Sequence, residues 1–182
     1  LQQLYTVADT AIVGKGLGDN ALASVGNMSS LTFLIIGFSL GISNGFSVSI
    51  AQSYGAGNHE KLKKAIAASV KLSVIVTIIL TAISMLFLKP VLVMLRTDES
   101  ILKDSLIYGY IIFGGLFSTI AYNMASCILR ALGDSKTPFT AIIVSTIINI
   151  GLNCFFIFGM KTGVEGVAIA TIIAQVVSAL IC

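Results

Sequence analysis

The residue in this sequence with the most evident capacity for chemistry is Asp9. It sits among Leu4, Tyr5, Val7, Ala8, Ala11, Ile12 and Val13, with no Lys or Arg before Lys15. A carboxylate at membrane depth costs roughly 2.5–3.5 kcal/mol, and residues that bear this cost usually face a bundle interior and mark ion or proton paths. Desolvation there favours the neutral form, so the group can take up and release a proton. The alternative at this point is an interfacial or capping role, because the segment ends five residues later at Gly14.

Amides at helical spacing supply the second signal. Ser145, Asn149 and Asn153 recur at i, i+4 and i+8, and Thr171, Gln175 and Ser178 at i, i+4 and i+7. Each set lies along one helical face. Asn27 and Ser30 add polar groups to an earlier apolar segment, and Tyr122 with Asn123 to another. Hydrocarbon offers these groups no partner, so they either bond across helices or line a wet cavity. With several such stripes, the second is the expectation. Asn27, Tyr122, Asn123 and Gln175 are the candidate cavity residues. No metal-ligand pattern is present beyond what a sodium ion would need.

The elements that must position these residues follow from composition. The chain has 182 residues, 56% hydrophobic and 10% charged, with mean hydropathy +0.99. Soluble domains carry roughly 25% charged residues. Asp, Glu, Lys, Arg and His are absent from 20–58, 72–88, 105–129, 137–160 and 166–182. A helix needs about 20 residues to cross the hydrocarbon core. Five such stretches and the Asp9 segment predict six spans, and therefore an all-α polytopic membrane protein. Transmembrane β-strands would be about ten residues long and alternating, unlike these runs. A signal peptide cannot explain hydrophobicity that recurs throughout.

The connections have a readable grammar. Gly55 and Gly57 should stop the second span; Asn58 should cap the third, with Glu60 at its positive end. Gly37, Gly41 and Gly45 share a face and predict close helix approach. The third span should end near Leu88, before Pro90. A fourth should run unbroken over about 102–129. In RALGDSKTP, Gly133 suits a left-handed C-terminal position, and Thr137–Pro138 the cap and first residue of the fifth. Lys61, Lys63, Lys64, Lys71, Arg130 and Lys136 fall on one membrane face, and Lys15, Lys89, Arg96, Lys103 and Lys161 on the other. Six against five is a slight lean toward the first face being cytoplasmic.

Several functions are disfavoured. Net charge is +3 and no basic patch is interleaved with aromatics, so nucleic acid is not an expected partner. Enzyme and nucleotide-binding signatures are missing, so no catalytic residue and no cofactor is expected. The only small ion implied is a coupling proton or sodium. Cys127, Cys154 and Cys182 lack C-x-x-C spacing and read as packing residues. The sequence lacks an initiator Met and ends within an apolar run, which reads as a fragment clipped at its first helix.

The run LYTVADTAIVGKGLG, the connections AQSYGAGNHEKLKKA and LRALGDSKTP, and NIGLNCFFIFG followed by GVEGVAIAT resemble, in order, the multidrug and toxic compound extrusion (MATE) family. The resemblance implies that residues 1–182 form the amino-terminal six-helix lobe of a two-lobe, twelve-helix transporter, with a carboxyl-terminal lobe as partner. It implies antiport in the cell membrane, with proton or sodium entry driving export of small organic, usually cationic, compounds. On that resemblance the coupling residues are Asp9, Asn149, Asn153 and Thr171. The family often has Asp where this chain has Asn153, and losing that charge favours proton coupling through Asp9 over a strong sodium site. Two other readings stand beside it. A lipid-linked oligosaccharide flippase would prefer a cationic cavity, whereas no Lys or Arg lies centrally in a span. A non-transporting scaffold would seal its polar stripes on one another.

Overall fold

The structure is a computed structural model that describes residues 10–182. Asp9 lies outside the described residues. All regular elements among those described are helical: α1 (10–16), α2 (Asp19–Gly55), α3 (His59–Met94), α4 (Glu99–Gly114), α5 (Leu116–Ala131), α6 (Lys136–Cys154) and α7 (Val164–Ile181). The π-helical turn Phe155–Gly159 extends α6. Four helices, α2, α3, α6 with its π turn, and α7, are long and apolar enough to cross a membrane, and α4 with α5 form a fifth, bent span. This is a polytopic all-α membrane fold.

α5 occupies the middle of the bundle, packing on α2, α3 and α7, while α6 leans chiefly on α7. The outward faces are apolar. Ile143, Ile147 and Ile150 of α6 are exposed, Ile147 to 66%, while Ser145, Asn149 and Asn153 on the opposite face are fully buried. A water-soluble helix reverses this arrangement. In a bilayer, exposed isoleucine is at home and buried amides find protein partners.

The two ends of the bundle differ. The main apolar core joins Met28 of α2, Leu88 and Leu92 of α3, Tyr108 and Phe113 of α4, and Val167 of α7. All lie toward the α3–α4 and α6–α7 connections. Toward the opposite end, Ser43, Ser69, Ser73, Ser126, Ser145 and Ser178 are buried beside Ile50, Met124 and Ile142. One end is plugged by large apolar side chains, and the other mixes small hydroxyl groups with apolar ones.

Four expectations need correction. The span expected to be unbroken over 102–129 is two helices bent by 44°. The break falls at Gly115, where a Cβ would collide with Ile172 Cγ1 of α7; the close approach of α7 requires glycine. The Gly115 carbonyl accepts a 2.6 Å hydrogen bond from Ser118 Oγ, so the bend leaves it a partner.

α3 does not stop before Pro90 but carries it inside the helix. Proline deprives one carbonyl of its helical donor, yet buried Leu88 and Leu92 anchor α3 on both sides. Gly37, Gly41 and Gly45 do not mediate close approach among the described residues: a Cβ at any of them would meet nothing within 4 Å.

At the start of α6, Asp134 rather than Thr137 is the capping acceptor. Its Oδ1 accepts from Lys136 N at 2.9 Å and Thr137 N at 3.1 Å, and its Oδ2 from Thr137 Oγ1 at 2.6 Å. Pro138 then falls in the first turn, where no N–H is needed. Gly133 has the expected left-handed backbone, φ 93°, and Asn58 caps α3 through Lys61 N at 2.9 Å.

Candidate functional site

Asn149 and Asn153 stand one turn apart on the buried face of α6, and Thr171 faces them from α7. Asn153 Nδ2 donates to Asn149 Oδ1 at 3.3 Å. Asn149 Nδ2 donates to Thr171 Oγ1 at 3.4 Å, and Thr171 Oγ1 donates to the Val167 carbonyl at 3.0 Å. The three bonds run in one direction, from α6 into the main chain of α7. Bonds that share donors and acceptors in series polarise one another in a low-dielectric interior. The result is a neutral, oxygen-rich relay at membrane depth, sheathed on its outer side by isoleucines.

Neighbouring polar groups extend the relay. Gln175 lies one turn beyond Thr171, is 8% exposed, and its Oε1 has no hydrogen-bond partner among the described residues. Ser178 and Ser145 turn inward and bond the Ala174 and Ile142 carbonyls of their own helices, at 3.2 and 3.1 Å. Asn123 of α5 is buried at 2% exposure. Tyr122 is buried beside it, and its hydroxyl donates to the Pro138 carbonyl at 3.3 Å. That bond ties the middle of α5 to the start of α6.

Asn27 is held elsewhere. Its Nδ2 donates to Thr97 Oγ1 at 2.8 Å, fixing α2 to the α3–α4 connection at the plugged end. The structure thus brings Asn149, Asn153 and Thr171 into direct contact and places Gln175 on the same face of α7 as Thr171. It puts Asn27 against the Thr97 connection instead.

Amide and hydroxyl oxygens in this arrangement can coordinate a hard cation or hydrogen-bond a protonated carboxyl group. They carry no charge and cannot serve as general acid or base. Sequence reading missed one polar link between α5 and α2, whose Arg130 and Asn44 are exposed. Arg130 of α5 reaches back to Cys127, and Cys127 in turn to Asn44 of α2. The i, i+3 spacing of Cys127 and Arg130 was its only signal.

A sequence model of the MatE family matches residues 1–155. The probable multidrug resistance protein YoeA of Bacillus subtilis is 36% identical over all of this chain and 40% of its own length. The FAD transporter of Shewanella oneidensis is 26% identical over 96% of the chain and 39% of its length. Among solved structures, the inward-facing conformation of a MATE multidrug resistance transporter of the MOP superfamily superposes with a TM-score of 0.95. It is 29% identical, and the match covers 100% of this chain and 41% of that one. The chain therefore spans about 40% of the length of these relatives. On the extent of the family match and the agreement of the fold, this chain belongs to the MatE family.

Proposed function

We propose that this chain is the amino-terminal lobe of a cation-coupled antiporter that exports small organic compounds across the cell membrane by alternating access. The observation that carries this reading is the polar relay Asn153–Asn149–Thr171, buried in a lobe whose exposed surface is apolar. A scaffold has no use for such a cluster, since buried amides destabilise a fold unless fully bonded. The flippase reading is disfavoured because the relay carries no cation to hold phosphates.

In the proposed mechanism Asp9 is the titrating switch, and Asn149, Asn153 and Thr171 supply neutral oxygens around its bound ion. Tyr122, Asn123 and Gln175 contact the cargo, with Asn27 acting at the Thr97 end. Neutralising Asp9 changes the charge inside the lobe, and the inward-open and outward-open states tolerate that charge unequally, so ion binding shifts their populations. With Asn153 in place of a second acid, the coupling ion is a proton rather than sodium. A second carboxylate beside Asp9 would hold a desolvated Na⁺ more strongly than the Asn153 amide does.

Dye export from cells or vesicles containing the intact transporter tests this. A proton gradient should drive export, and Asp9→Asn should abolish it while leaving the protein in the membrane. Export by Asp9→Asn at the wild-type rate, or export driven by a sodium gradient alone, would overturn the coupling scheme.

A further inference from the structure

We propose that the cleft between α2 and α5, bordered by Arg130 and Asn44, seats the phosphate of an anionic lipid headgroup. The cleft has a volume of about 450 Å³ and is lined by Asn44, Ser47, Val48 and Gln52 of α2 and by Cys127 and Arg130 of α5. That is within the usual range for small-molecule sites, roughly 300–1,000 Å³.

Its donor set selects for an anion. Arg130 Nε donates to the Ser126 carbonyl at 3.1 Å and Nη2 to Cys127 Sγ at 3.3 Å. The Cys127 thiol donates to Asn44 Oδ1 at 3.4 Å, which links α5 to α2. The guanidinium is thereby held in a fixed plane, yet only two of its five N–H groups are used. No carboxylate pairs with it among the described residues, whose one ion pair is Lys64–Glu60. Occupation of Asn44 Oδ1 by the thiol leaves the amide N–H groups as the donating end of that side chain. The lining contains no Asp or Glu. A fixed guanidinium fork beside amide donors, with no acid to compete, suits phosphate oxygens.

The surroundings select a lipid over a free anion. Val48 is 55% exposed, and Ala51 beside it is also exposed and lines the cleft. In a bilayer such a wall takes up the glycerol and first methylenes of an acyl chain. The cleft lies at the ends of α2 and α5, next to the connections and helix starts that bear Lys61, Lys63, Lys64 and Lys136. Basic pockets at that depth recruit anionic headgroups. The contrast with the cleft at the other end is direct, since that one is lined by Lys103 with Asp104 and Glu165 and has acids of its own to balance its cation.

Thermal unfolding of the purified protein in detergent, titrated with dioctanoyl phosphatidylglycerol, tests the assignment. This lipid should raise Tm, whereas dioctanoyl phosphatidylcholine and inorganic phosphate should not. Arg130→Ala should weaken the effect roughly tenfold or more, as expected for loss of a charged hydrogen-bonding partner. Lys64→Ala should leave it intact. If Arg130→Ala folds poorly, Gln52→Glu serves instead, because it keeps Arg130 but puts a competing carboxylate on the cleft wall; it should abolish the shift. The assignment fails if Arg130→Ala or Gln52→Glu responds like wild type, if inorganic phosphate reproduces the shift, or if Lys64→Ala loses as much as Arg130→Ala. Readout by lipid-dependent Tm leaves the outcome independent of Asp9 and of export.

Discussion

Asn149 accepts a hydrogen bond from Asn153 through its amide oxygen and passes one on to Thr171 through its amide nitrogen. It is the middle member of the relay, and the two neighbours depend on it unequally. Removing a buried group that serves two partners takes a hydrogen bond from each of them, at up to about 1–3 kcal/mol apiece. Asn149→Ala should therefore destabilise the protein by roughly 2–4 kcal/mol, more than Thr171→Ala does. Unfolding of both variants in the same detergent would check the order. Equal losses would mean that the relay does not bridge the helices.

The same geometry predicts the effect of restoring an acid. Asn153→Asp places a carboxylate where an amide now donates to Asn149, and two oxygens would face each other at 3.3 Å. A bound cation relieves that repulsion. The variant should be less stable than wild type in choline chloride and recover in sodium chloride, while wild type shows little difference between the salts. Tm measured in the two salts reads the difference, and a sodium response in wild type as large as in the variant would count against the neutral-site argument.

Gly115 and Ile172 offer a test of the bend in the fourth span. A methyl group at position 115 meets the Ile172 side chain, and overpacking a tight contact typically costs 1–3 kcal/mol. Gly115→Ala should lower stability by about that amount, and Ile172→Ala in the same chain should recover most of it. Contacting residues show such non-additivity in double-mutant cycles. Additive losses would place the origin of the bend elsewhere.

Asp134 gives a pH dependence with a definite sign. Its carboxyl is held below the ordinary carboxylate range, first by the Thr137 hydroxyl and then by the Thr137 backbone N–H, with desolvation opposing them and the Lys136 backbone N–H and charge adding less. A group with a depressed folded pKa contributes stability above its unfolded pKa and loses it as pH falls through the folded one. Wild type should exceed Asp134→Ala in Tm by a few degrees at neutral pH, and the gap should narrow below about pH 4. A gap that is constant down to the most acid measurable pH would remove the ionised cap from the account.

Much of this architecture was legible in the sequence because the bilayer imposes a coarse rule. Charge-free runs marked the spans, and the spacing of Asn149 and Asn153 named the buried face of α6 before any coordinates. The relay to Thr171 was legible only through family resemblance, since spacing within one helix says nothing about which helix faces it. The errors share a cause. Local propensity reads Pro90 as a boundary and the apolar run to Leu129 as one span, but Leu88 and Leu92 carry α3 through its proline, and the close approach of Ile172 meets the fourth span at Gly115. At α6, Asp134 competes with Thr137 for the capping role and wins because its two oxygens serve three donors at once. Gly37, Gly41 and Gly45 carried a packing signature, yet α2 presents them to no neighbour among the described residues. The direction of a face is a tertiary fact.

The length of α3 has a practical consequence. Its charge-free stretch, 72–88, covers about 26 Å at 1.5 Å per residue, close to a hydrocarbon layer of roughly 30 Å. Residues 59–71 of the same helix add about 20 Å; Ser69 still packs inside the bundle, and the exposed Glu60, Lys61, Lys63 and Lys64 carry the Gly57–Asn58 corner toward water. An epitope or fluorophore spliced at that corner would ride clear of the headgroups, so it offers a handle for following the protein without touching its interior.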